Sequence, residues 1–206
     1  MRAVPLLVAL TLCSTAGPLS AVEQAVSANP TLSVIARAPD FAMRDPSGEQ
    51  VNLSNYRGRV VLLAFVFTTC PNVCPLISQQ MAFLQGQLKR EGLFGSKTVM
   101  LSVTVDPKTD TAEVLQKYAK TFSADSAGWR FLREDPPKLE SVLKAYDEWT
   151  KLLPKGEIDH PARVYLIDQA GNMREIYSLA FFNEQQTLLD MKALLAEGSR
   201  GQAKEK

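Results

Sequence analysis

Cys70 and Cys74 are the residues of this chain best suited to chemistry, because Cys70-Pro71-Asn72-Val73-Cys74-Pro75 sets two thiols at i and i+4. Eight apolar residues, Val60 to Phe67, lead through Thr68-Thr69 into the pair. An apolar run without alternation is the pattern of a strand covered on both faces. Pro75 suits the first position of a helix, having a fixed φ and no N–H to lose, and Ile77, Met81, Leu84 and Leu88 continue at helical spacing. The pair is therefore expected where a buried strand turns into a helix. Free amides and the dipole at a helix N-terminus favour an anion, so Cys74, as the expected N-cap, should carry the more acidic thiol, with a smaller effect of the same sign at Cys70. Two readily ionised thiols suit redox chemistry or a soft metal. The plainer alternatives are two core cysteines or a structural disulfide.

The surrounding chain has 206 residues and a net charge of +1, enough for one domain with extensions. Acidic and basic residues are interleaved, which argues against a nucleic-acid surface or a polybasic membrane patch. The first 21 residues read as a secretory signal, with Arg2, an apolar run from Val4 to Leu12 and then small residues. That run is too short for a hydrocarbon core of roughly 30 Å, so cleavage after Ala16 or Ala21 and a soluble, periplasmic protein are expected. Cys13 raises a lipoprotein alternative, although Leu12 precedes it where a small residue is wanted. Cleavage would leave only Cys70 and Cys74, which would tend to pair in an oxidising compartment unless reduced or metallated. A disulfide closing so short a loop adds little stability, so chemistry explains the pair better.

Residues 22–38 read as a linker, 39–198 as the domain and 199–206 as a flexible tail. Phe41 to Arg44 and Gln50 to Leu53, joined by Asp45-Pro46-Ser47-Gly48, read as a hairpin. After the cysteine helix come a strand at Thr98 to Val105, a helix with Leu115, Tyr118, Ala119 and Phe122, and a short Trp129 to Leu132 segment. A helix opened by Pro136-Pro137 follows, then a charged excursion from Lys151 to Asp159, a hairpin over Val164 to Tyr177, and a last helix. The fold class is α/β, with a central, mainly parallel, twisted sheet and helices on both faces. Met43, Met81, Met100, Met173 and Met191 are scattered as core fillers. His160, the only histidine, precedes the Val164 strand, where its loop can lie beside the cysteine turn and bring an imidazole to two thiolates.

With Cys70-Pro71-Asn72-Val73-Cys74-Pro75 after an apolar strand, Val105-Asp106-Pro107 through Asp110-Thr111, and Asp159-His160 before Tyr165-Leu166-Ile167-Asp168, the chain resembles the Sco/SenC family over roughly residues 38–195. The family is thioredoxin-like and associated with copper delivery to cytochrome c oxidase. The resemblance implies Cys70, Cys74 and His160 as copper ligands, a metallochaperone role, and an oxidase subunit or another copper protein as partner. Asn72 stands where many members carry an acidic residue, and Pro161 where a small hydroxyl residue is common. Thiolates select Cu(I) and an added imidazole suits Cu(II), while two cysteines, a histidine and a water are also a zinc set. The competing role is a thiol-disulfide reductase using Cys70 and Cys74 as a redox pair with a thiol reductant. A peroxide-reducing enzyme is a third, with Arg163 as the only nearby arginine. Asp106 or Asp159 could orient His160, the plainer reading of Asp106 being a helix cap.

Overall fold

The computed structural model describes residues 27, 30–154, 156–179 and 182–204; the expected signal segment and Cys13 lie outside them. In chain order the elements are β1 (Ala36–Arg37), β2 (Ala42–Arg44), β3 (Gln50–Asn52), β4 (Val60–Val66), α1 (Val73–Arg90), β5 (Thr98–Thr104), α2 (Ala112–Thr121), β6 (Trp129–Leu132), α3 (Pro136–Ala145), β7 (Lys151–Leu152), β8 (Ile158–Asp159), β9 (Arg163–Ile167), β10 (Asn172–Ser178) and α4 (Glu184–Lys204). Six strands form one sheet in the order β1-β10-β9-β4-β5-β6, and β2-β3 and β7-β8 are separate hairpins. Strands β4, β5 and the edge strand β6 run parallel to one another, whereas the neighbouring pairs β4-β9, β9-β10 and β10-β1 are antiparallel. This is the expected α/β, thioredoxin-like arrangement, except that the sheet is mixed rather than mainly parallel, because the closing β9-β10 hairpin brings β9 in antiparallel to β4 and β1 adds antiparallel to β10.

Every residue of β4 and β5 is buried, which is why neither sequence alternates. Burying an aliphatic or aromatic side chain contributes about 1.5–3 kcal/mol, so these two strands anchor the sheet. Side chains alternate faces along β4. Phe65 packs edge-on against Tyr146 and Tyr165, at 5.6 and 6.0 Å between ring centroids. On the other face Met81 of α1 reaches Ser102, the β5 partner of Ala64. The sheet is therefore covered on both sides, by α1 with α4 and by the end of α3. All five of the scattered methionines are buried.

Three boundaries differ from the sequence reading. The lead-in expected over 22–38 includes β1, which pairs with the sheet edge through Ala36 and Met173, and Leu32 is held through its carbonyl by Arg174. The helix expected to yield to a tail at 199 continues to Lys204. The charged excursion folds on itself as β7-β8, pairing Lys151 with Asp159. Two-residue strands carry no periodicity to read, and their formation depends on tertiary pairing.

Candidate metal centre

β4 ends at Val66, and Phe67 carries its direction one residue further before the chain turns. The Cys70 amide donates to the Phe67 carbonyl at 3.3 Å, closing that turn. Helix α1 opens at Val73 with Asn72 as N-cap, and the Asn72 side chain makes no capping bond. The acceptor at the helix start is a sulfur instead: the Cys74 amide donates to Cys70 Sγ at 3.4 Å. Cys70 is half-buried, and Cys74, one residue inside the helix, is only 1% exposed. Both are free thiols.

This placement corrects the expected ranking of the thiols. Cys74 is the buried one, and it is neither the N-cap nor the more acidic. The Cys74 thiol donates toward Cys70, and backbone amides of Cys74, Asn72 and Val73 converge there; together they outweigh burial and lower the Cys70 pKa to about 5. Cys74 is pushed well above the usual thiol range, first because its proton serves Cys70 and then by burial. Helix amides project forward into the preceding loop, and in this loop the side chain waiting for them is Cys70.

His160 follows β8 and precedes β9. Because β9 runs antiparallel to β4 with Val164 opposite Ala64, the residues entering β9 arrive beside the end of β4 and its cysteine turn. His160 Nε2 lies 3.8 Å from Cys74 Sγ. Burial pulls the imidazole below its usual pKa, against smaller opposing effects of the Pro161 backbone and the Asp159 charge. The neutral ring, the form that ligates metals, is thus favoured. Its Nδ1 is buried and has no hydrogen-bond partner. The three residues are linked through Cys74 rather than closed about a point, and among the described residues no three His, Cys, Asp or Glu side chains stand gathered as for a metal ion. Two thiols, a neutral imidazole and an unpartnered ring nitrogen nonetheless fit a soft or borderline metal in chemistry and proximity.

The other residues singled out in the sequence fall elsewhere. Asp106 caps a turn, accepting from the Thr109 amide at 3.3 Å, while Thr111 caps α2 by accepting from the Val114 amide. Asp159 is exposed and acts on His160 only through its charge. Arg163 donates to the Asp147 carbonyl at 2.8 Å and lies 3.9 Å from Glu148, so it is committed away from Cys70. Two residues next to the site were named in the sequence only as parts of longer stretches, with no role assigned to them. Fully buried Asp110 accepts from the Thr68 amide at 3.1 Å and from the Thr68 and Thr104 hydroxyls at 2.5 Å each, tying the cysteine loop to the end of β5. Phe67 sets its ring against His160, with centroids 5.6 Å apart and planes at 69°.

The SCO1/SenC family model matches residues 31–196. The SCO1 protein homolog of Bacillus subtilis (strain 168) is 30% identical over 142 residues, 67% of this chain and 72% of that protein. The mitochondrial SCO2 homolog of Bos taurus is 31% identical over 154 residues, 72% of this chain and 56% of that protein. The chain thus spans from about half to about three quarters of these relatives. Among solved structures, a SCO1/SenC family lipoprotein from Bacillus anthracis str. Ames superposes with a TM-score of 0.69 at 28% identity, over 77% of this chain and 95% of that one. BsSco, a Sco-family cytochrome c oxidase assembly protein with a disulfide switch, gives 0.68 at 25% identity, over 81% and 98%. Copper-bound ScoI of Arabidopsis thaliana gives 0.66 at 24% identity, over 79% and 99%, a likeness of fold.

Proposed function

The chain belongs to the SCO1/SenC family, and from that premise we propose that it is an exported copper-binding metallochaperone of cytochrome c oxidase assembly. Its cargo is Cu(I) or Cu(II), held by Cys70, Cys74 and His160 and passed to an oxidase subunit or another copper protein by ligand exchange. The observation that carries this reading is the approach of His160 Nε2 to Cys74 Sγ beside a thiol as acidic as Cys70. Thiolates satisfy Cu(I), and the imidazole adds the nitrogen that Cu(II) prefers. Cys70 is the reachable ligand, since Pro71 and Asn72 beside it are exposed. Export rests on the apolar leader; among the described residues no helix is long and apolar enough to cross a membrane.

The asymmetry of the thiols favours a second reading on the same residues, reduction of a disulfide in the partner's copper site. Cys70 thiolate attacks one partner sulfur and releases the other as thiolate. Cys74 then gives up its proton and attacks Cys70 Sγ, so the pair leaves as a disulfide and the partner as a dithiol. A thiol reductant must restore the pair, and copper loading requires the same reduced state.

Titration of reduced protein with Cu(I), Cu(II) and Zn(II) tests the cargo. His160→Ala should weaken Cu(II) binding strongly and Cu(I) binding less, and leave formation and reduction of the Cys70–Cys74 disulfide intact. In cells that variant should lose oxidase maturation at limiting copper. Full maturation with His160→Ala at low copper, together with failure of Cys70→Ser, would instead select the reductase. A chain that takes Zn(II) but neither copper ion overturns the copper reading.

A further inference from the structure

We propose that Phe67 is the positioning residue for His160, a single side chain that sets the imidazole against the two thiols. The inference rests on the copper reading above and names what orients its nitrogen ligand. A metal-ligating histidine is ordinarily oriented by a hydrogen bond from its second ring nitrogen to a carboxylate, a carbonyl or water. Here Nδ1 is buried with no partner at hydrogen-bond geometry, the Pro161 backbone adds only a minor effect, Asp159 is exposed, and one Asp106 oxygen is taken by the Thr109 amide. The ring of Phe67 is what meets the imidazole, in the tilted edge-to-face geometry that aromatic pairs favour.

Phe67 is fixed at every other point. It is 5% exposed, it directly extends the buried strand β4, and its carbonyl accepts the Cys70 amide. Its backbone also faces the Cys74 sulfur. One residue therefore touches the arms that carry all three candidate ligands, and its buried ring limits how the imidazole can turn about its side-chain bonds. Because Cu(I) is satisfied by the two thiolates, loss of the Phe67 ring should fall on Cu(II) alone.

The test compares Phe67→Leu, Phe67→Tyr and His160→Ala in the full chain. In metal-free protein the single histidine makes the imidazole NMR signals unambiguous. They should lose their aromatic ring-current shift in Phe67→Leu and keep it in Phe67→Tyr. In competition titrations Phe67→Leu should weaken Cu(II) by about ten-fold, the low end of what supporting residues of metal ligands contribute. It should also change the Cu(II) EPR spectrum, move Cu(I) affinity by less than about two-fold, and be rescued by Phe67→Tyr. Equal losses for both copper ions would mean general destabilisation and overturn the proposal, as would wild-type Cu(II) affinity in Phe67→Leu beside a clear loss in His160→Ala. If His160→Ala itself leaves Cu(II) binding unchanged, the histidine is not a ligand, and the copper reading falls first and separately. Should Phe67→Leu not fold, the metal-free spectrum of Phe67→Tyr still decides: an imidazole shifted as in wild type supports the contact, and one without the shift refutes it.

Discussion

At the scale of single residues, two cysteines of identical type and near-identical sequence surroundings differ in role because one sulfur receives amides and the other gives its proton. Cys70 accepts from the Cys74 amide and from the Cys74 thiol, and its pKa falls to about 5; Cys74, inside the helix and 1% exposed, stays protonated. Alkylation of Cys70 should therefore be half-maximal near pH 5, with Cys74 unreactive until the chain unfolds. Cys74→Ala removes the thiol donor and should move that midpoint up toward the usual thiol range, whereas Cys74→Ser keeps a donor and should move it less. A pH profile of reaction with a thiol probe, read by mass spectrometry at each cysteine, decides the matter; preferential labelling of Cys74 in folded protein would contradict the geometry. Residue types and spacing disclosed thiol chemistry and the histidine. They did not disclose which thiol is acidic, because that depends on the direction in which the loop between β4 and α1 turns its side chains.

At the scale of elements, the cysteine loop is held by a carboxylate from the next crossover. Asp110 joins Thr68 to Thr104 across neighbouring strand ends, and Arg133 of the β6 edge donates to the Pro107 and Asp110 carbonyls, fixing the turn that presents it. Burial raises the Asp110 pKa while its threonine donors oppose the rise. Asp110→Ala leaves an amide and two hydroxyls without their acceptor and should cost about 2–4 kcal/mol. The loop that it releases carries Cys70, so the same variant should also raise the Cys70 alkylation midpoint. Urea unfolding and thiol reactivity measure the two effects, and a stability loss with no change at Cys70 would detach the clamp from the site. The long elements were legible from apolar runs and turn residues, with β4, β5, α1, α2 and the β9-β10 hairpin all near their expected bounds. Asp110 stood out only as part of the Val105 to Thr111 stretch that carries the family resemblance, with no role of its own, since its partner Thr68 lies 42 residues away. β1 and the β7-β8 hairpin were missed because neither has a pattern without its pairing partner.

At the scale of the whole molecule, the site exists because the sheet changes direction. Had β9 run parallel to β4, the loop entering it would lie at the opposite end of the sheet from Cys70; running antiparallel, it delivers His160 to the cysteine turn. The arm that makes this delivery, residues 149–154 and 156–162, is rooted at Glu148 and Arg163. Glu148 is buried, and its Oε1 lies 2.6 Å from the Tyr165 hydroxyl, which is also 2.9 Å from the Tyr146 carbonyl. The hydroxyl donates to the Glu148 carboxylate oxygen, and its one proton is shared with the Tyr146 carbonyl, so neither acceptor is fully satisfied. Burial pushes the Glu148 pKa up to about 7 from 4.5; Arg163, 3.9 Å away, and the Tyr165 hydroxyl oppose the rise, and the Asp147 charge adds to it. The unfolded chain releases this proton near the ordinary value and the folded chain holds it to about 7, so the folded state binds more protons between these limits. Stability should then fall as pH rises from about 4.5 to 7, by at most roughly 3.5 kcal/mol at about 1.4 kcal/mol per unit. Glu148→Gln keeps a side-chain oxygen that accepts from the Tyr165 hydroxyl, in an amide that does not titrate, and should flatten this slope and exceed wild type in stability at pH 8. Urea unfolding of both chains at pH 5, 6 and 8 tests it: converging curves at low pH and a gap opening toward pH 8 are expected, and parallel curves across the range would show that Glu148 is already ionised in the fold.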